Sequence, residues 1–130
     1  MSGRPEGASL AITFLYYKDL AGALAFYEDV MGFELAIDQG HLAKILRMAD
    51  GAHIGLVDEA KGMHKWAETR PVQVCIRVPD VDAWYAHVQA HGVAGLSRMF
   101  ENDAIGIRAF VFDDPEGYQL EIQSVTRAGA

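Results

Sequence analysis

The sequence predicts an α+β fold: two βαβββ modules, related by pseudo-two-fold symmetry, forming a curved, cleft-enclosing mixed sheet. Three observations predict it. One strand pattern, one helical stripe and three further short strands follow each other twice within 130 residues. The punctuation recurs at a near-constant offset, with Asp19 and Asp80 standing 61 residues apart and Gly32 and Gly92 standing 60 apart. Apolar residues make up 51% of the chain, enough for one core, and the single cysteine, Cys75, excludes an intrachain disulfide framework.

Residues 1–8 read as a leader, 9–57 as the first module, 58–71 as a connector, 72–125 as the second module and 126–130 as a tail. Leu10 to Tyr17 is rich in aromatic and β-branched residues and reads as a strand. Asp19 suits a helix N-cap, because a short carboxylate there accepts from the free N–H groups of the first turn. Leu20, Ala23, Leu24, Tyr27, Val30 and Met31 form the apolar stripe of that helix, and Gly32 ends it. Strands follow over 33–38, 41–48 and 52–57, separated by the turn pairs Gln39-Gly40 and Asp50-Gly51. The connector is polar, contains Gly62 and Pro71, and has room for a short helix. Val72 to Val78 alternates cleanly, Asp80 caps a second helix with the stripe Val81, Trp84, Tyr85 and Val88, and Gly92 ends it. Strands are expected near 93–97, 105–113 and 118–123, with Asp114-Pro115-Glu116-Gly117 as a tight turn.

Period-two alternation sorts the strand residues between a helix-covered face and a cleft face. Val72, Val74, Ile76, Val78, Leu120 and Ile122 go to the helix side. Gln73, Cys75, Arg77, Gln119, Glu121 and Gln123 go to the cleft, as do Ile12, Phe14, Tyr16, His53, Gly55 and Val57 through the repeat. Arg108, Phe110 and Phe112 share one face of the seventh strand, which is assigned to the cleft. A mostly apolar cavity with a few convergent polar groups is the usual form of a small-molecule site.

The segments KDLAGALAFYEDVMGFEL (18–35), VCIRVPDVDAWYAHVQAHGV (74–93) and FDDPEGYQLEIQ (112–123) resemble the vicinal oxygen chelate superfamily, which includes glyoxalase I, bleomycin-resistance proteins and extradiol dioxygenases. The resemblance spans roughly residues 9–125 and implies the paired-module fold and a homodimer. It also implies a metal position on strands one, four, five and eight, which here hold Ile12, Gly55, Gln73 and Glu121. Glu121 and Gln73 carry donor atoms; isoleucine and glycine carry none on their side chains. His53, two residues from Gly55, completes a three-ligand set with Gln73 and Glu121 only after a shift of about 6–7 Å along the strand.

Two functions therefore stand side by side. In the first, the protein binds a small organic ligand without a metal or other cofactor, between Phe14, Tyr16, Trp66, Phe110 and Phe112, with Gln73 and Arg108 or Arg77 meeting its polar part. Trp66 reads either as a cap on that cleft, or as a plug between modules or a dimer contact. In the second, a divalent metal on Glu121, Gln73 and His53 supports lyase, isomerase or dioxygenase chemistry on vicinal oxygens. Without a metal, Glu121 is expected to pair with Arg108 or Arg77. His87 and His91 have zinc-binding spacing but no third ligand, and Cys75 reads as wall filling before nucleophile. The net charge of −7 argues against nucleic acid as a partner, and no apolar run approaches the roughly 20 residues of a membrane helix. The expected location is the cytoplasm.

Overall fold

In a computed structural model, which describes residues 3–130, the two predicted modules are both present. The first contains β1 (Ala11–Tyr17), α1 (Leu20–Asp29), β2 (Glu34–Asp38), β3 (Ala43–Ala49) and β4 (Ala52–Asp58). The second contains β5 (Gln73–Arg77), α2 (Val81–Ala90), β6 (Phe100–Asn102), β7 (Ile107–Asp113) and β8 (Gln119–Val125). Each helix starts where its aspartate predicts. The Asp19 carboxylate accepts from the Gly22 N–H at 3.1 Å, and that of Asp80 accepts from the Ala83 N–H at 3.1 Å. Gly32 and Gly92 take φ of 70° and 66°, the left-handed conformation that stops a helix and favours glycine.

The strands form two separate four-stranded sheets, ordered β1-β4-β3-β2 and β5-β8-β7-β6. In each, the first strand runs parallel to the last and the other pairs are antiparallel. Each sheet lays its helix-covered face on one shared core. Leu15, Tyr17, Leu46, Ile54 and Leu56 come from the first sheet, and Phe110, Phe112, Leu120 and Ile122 from the second. Ala23, Tyr27, Val81 and Val88 of the helices lie in the same cluster. Burying each large side chain contributes about 1.5–3 kcal/mol. Both sheets turn towards this core, so their open faces point away from it. The curved sheet that was expected to enclose a cleft is thus two unclosed halves within one chain.

The modules are joined by a polar hub inside that core. Asp114 is only 2% exposed. Its Oδ2 accepts from the hydroxyls of Tyr17 at 2.6 Å and Tyr27 at 2.8 Å, and its Oδ1 accepts from the N–H groups of Glu116 and Tyr118. Burial, with the negative Asp114 alongside, pushes both tyrosine hydroxyls far above their usual pKa. Beside the hub, Glu116 accepts from the N–H groups of Lys18 and Asp19, and the Tyr118 hydroxyl donates to the Tyr16 carbonyl at 2.9 Å. The Nε2 of His87 donates to the Val30 carbonyl at 2.7 Å, tying α2 to the end of α1.

Some segments depart from expectation. The connector carries no helix, and residues 93–97 form no strand beyond a single Ala94–Asp113 bridge. Gly95 sits at φ 66° with the Asp113 carboxylate against it, so the chain turns there and pairing resumes only at Phe100. Residues 3–8 form neither strand nor helix, while the first two residues of the expected leader lie outside the described residues. The tail folds back onto the second sheet: Thr126 N–H donates to Gly106, and the Ala130 carbonyl accepts from Arg77. No helix among the described residues is long and apolar enough to cross a membrane.

Candidate functional site

On the open face of the first sheet, register places Ile12 beside His53, Phe14 beside Gly55 and Tyr16 beside Val57. One edge of the Phe14 ring, Cδ1 and Cε1, lies against Gly55. A Cβ at position 55 would meet two atoms of that ring, one of them at 2.6 Å, and Ile12 Cγ2 at 3.2 Å. The ring therefore occupies the space into which a side chain at 55 would project. Phe14 remains 44% exposed, so its outer surface is free to meet a ligand. Next to it is a cavity of about 180 Å³ lined by Phe14, Tyr16, Leu42, Val57 and Met63 among others. A cavity of about 150 Å³ is enough for a benzene ring.

The open face of the second sheet is polar. Gln73 Nε2 donates to Gln119 Oε1 at 2.7 Å, and Gln123 Nε2 donates to Glu121 Oε2 at 2.7 Å. Arg77 Nε donates to Gln123 Oε1 at 2.9 Å, and the Cys75 thiol lies 3.8 Å from Glu121 Oε2. Burial, and then the negative charge of Glu121, push the Cys75 thiol above its usual pKa, which disfavours the nucleophilic thiolate.

Three of the expected ligand residues lie on the wrong face. Phe110 and Phe112 pair with Ile122 and Leu120 and are fully buried on the helix side, where Tyr85 packs edge-on against Phe110. Arg108 shares that face and reaches Asp82 at 2.7 Å, with Glu101 at 3.3 Å, near the start of α2. The guanidinium holds the Asp82 carboxyl below its usual pKa. The residues of β7 on the open face are instead Ile107, Ala109, Val111 and Asp113, which pair with Val125, Gln123, Glu121 and Gln119. Trp66 is half-buried and packs against the shared core. Its indole N–H donates to the Glu116 carbonyl at 3.0 Å, and Lys18 and Arg70 lie over its ring.

Sequence reasoning missed the connector residues that do reach the first sheet's open face. His64 meets the Tyr16 ring edge-on at 5.2 Å, and Met63, 90% exposed, borders the cavity. Gly62 permits this approach, since a Cβ there would meet Val57 at 2.6 Å and Tyr16 at 2.9 Å. A glycine beside exposed apolar residues in a polar connector was the available signal.

The family model of the glyoxalase/bleomycin resistance protein/dioxygenase superfamily matches residues 9–122. The chain belongs to this superfamily. Among solved structures it is similar to a lactoylglutathione lyase from Agrobacterium tumefaciens, with a TM-score of 0.74, 22% identity, and 98% of this chain and 100% of that one covered. It is also similar to TnmS3, an antibiotic binding protein from Streptomyces sp. CB03234, with a TM-score of 0.73, 24% identity, and 94% and 99% covered. A third likeness is to the fosfomycin resistance protein FosX from Listeria monocytogenes, with a TM-score of 0.73, 18% identity, and 93% and 96% covered. These identities establish a shared fold. No curated protein sequence matches the chain.

Members of the superfamily often use a divalent metal, and the donor set of this chain fits one poorly. Ile12 offers no lone pair, and the side-chain space at Gly55 is taken by Phe14. His53 stays on the first sheet, paired with Ile12 and Arg47, while Gln73 and Glu121 lie on the second. Among the described residues no three His, Cys, Asp or Glu side chains converge.

Proposed function

We propose that the protein binds a small, flat organic molecule in a cleft assembled between two copies of the chain, without a catalytic metal. One wall would be the open face of the first sheet, with Phe14 and Tyr16. The other would be the open face of the second sheet of another copy, with Gln73 and Glu121. Phe14 lying on Gly55 is the observation that carries this reading: an aromatic surface stands where a metal-binding member needs a ligand side chain. The outward-facing open faces and the free edges of β1 and β5 support a homodimer. The exposed free thiol of Cys75 supports a reducing, cytoplasmic setting.

The test is elemental mass spectrometry on protein purified without chelator or affinity metal, combined with sedimentation. A metal-free dimer whose melting temperature rises with planar aromatic compounds and is indifferent to added Zn²⁺, Ni²⁺, Mn²⁺ or Fe²⁺ is expected. Near-stoichiometric metal would overturn the reading and favour the lyase or dioxygenase alternative, centred on Glu121.

A further inference from the structure

The polar wall contains a carboxylate without a counter-charge. Both hydrogen bonds to Glu121 fall on Oε2, from the Gln123 amide and the Cys75 thiol. Among the described residues, Oε1 accepts none, and no Lys, Arg or His nitrogen lies within 4.0 Å of either oxygen. The two arginines expected to neutralise it are engaged elsewhere. Arg108 is on the helix-covered face with Asp82, and Arg77 spends Nε on Gln123 and Nη1 on the Ala130 carbonyl. Gln123 thus stands between the guanidinium and the carboxylate, hydrogen-bonded to both, so the two charges make no direct contact. Closing the cleft over Glu121 removes water from it, and a desolvated carboxylate needs a cation.

Of the two arginines expected to receive an anionic ligand, Arg108 is withdrawn to the helix-covered face with Asp82, and Arg77 holds Gln123 and the Ala130 carbonyl with Nε and Nη1. A metal ion is poorly served by Ile12 and Gly55. An organic cation meets all the constraints, because its body stacks on the apolar wall and its nitrogen reaches Oε1. The exposed Phe14 ring adds a surface that attracts positive charge.

We infer that Glu121 receives the protonated nitrogen of the ligand, and that the site selects planar aromatic amines over carboxylates of similar shape. This rests on the cleft reading above. The probes are two fluorescent tricyclics, 9-aminoacridine as the cation and 9-anthracenecarboxylate as the anion, titrated into the full chain after EDTA treatment and dialysis. The amine binds at least about tenfold more tightly, as one charge-assisted hydrogen bond requires. Glu121→Gln removes that preference and leaves carboxylate affinity equal or better, whereas Glu121→Asp retains most of it. Circular dichroism establishes that each variant is folded. An unchanged amine-to-carboxylate ratio in Glu121→Gln overturns the assignment while leaving the cleft intact. A preference that vanishes with EDTA and returns with added metal overturns it in favour of a metal on Glu121. Binding of neither dye by the unaltered protein refutes the cleft itself, and the assignment with it.

Discussion

Removing the two hydroxyls that hold Asp114 should cost more together than apart. Asp114 is a buried carboxylate with no cation in contact among the described residues, and its charge rests on four hydrogen bonds. A hydrogen bond to a charged group contributes about 1.5–3 kcal/mol. Tyr27→Phe keeps the ring in the core and removes one donor, so it should destabilise by about that amount. Tyr17→Phe should do the same. In either single variant Oδ2 retains one hydroxyl at 2.6 or 2.8 Å. In the double variant it retains none, and a bare anionic oxygen in the core adds a penalty beyond the sum, a coupling of about 1 kcal/mol or more. Whole-domain stability is typically about 5–15 kcal/mol, so the double variant loses a large share of it. Urea unfolding followed by far-ultraviolet circular dichroism reads all three. With a slope of about 1–3 kcal/mol per molar urea, each single variant lowers the midpoint by about 1 M. Single costs below about 0.5 kcal/mol at unchanged slope, or strict additivity in the double, would refute the hub.

Three further outcomes follow from the same structure. Gly55→Ala pushes the Phe14 ring off the strand; because that ring is half-exposed and can swing, the variant folds, loses about 1–3 kcal/mol by overpacking, and binds aromatic probes more weakly in fluorescence titration. Phe110→Ala costs about 3–5 kcal/mol in urea unfolding, yet leaves probe affinity per folded molecule unchanged, because Phe110 faces the core. Stability is insensitive to tyrosine ionisation below pH of about 10, where Tyr17 and Tyr27 are neutral in both states. Above that, the unfolded chain releases their protons and the native state does not, so stability falls by about 1.4 kcal/mol per pH unit for each tyrosine. Tyr27→Phe should lessen this slope by about 1.4 kcal/mol per pH unit in alkaline urea titrations.

Local punctuation made the modules legible. Asp19, Gly32, Asp80 and Gly92 act within one helical turn of their own positions, so their roles are written in short segments. The alternation of β5 and β8 is clean because one face is polar and the other apolar, and its assignment matches the structure. β7 has no such contrast: Ile107, Ala109 and Val111 oppose Phe110 and Phe112, so both faces read as apolar and the lone Arg108 misdirected the choice. Its charged head escapes the core at the rim, beside Asp82, which parity alone does not reveal. The direction in which each sheet opens was illegible because it depends on how two modules share one core. Asp114 read only as a turn residue for the same reason: its hydroxyl partners lie 87 and 97 residues away.

That separation sets the order in which the protein can be made. Tyr16 receives its bond from Tyr118 across 102 residues, and Tyr17 meets Asp114 across 97. At a synthesis rate of about 5–20 residues per second, β1 spends roughly 5–20 s on the ribosome before its partner turn exists. During that interval the first module has a helix, three hairpin-linked strands and an uncovered core flank, with Tyr17 and Tyr27 lacking their acceptor. The last hairpin closes the structure over the first strand, so translation must finish before the native state is reached. Contacts so distant in sequence also slow folding itself. Nascent chains halted before residue 114 should expose that flank to chaperones, and chains released after 125 should not.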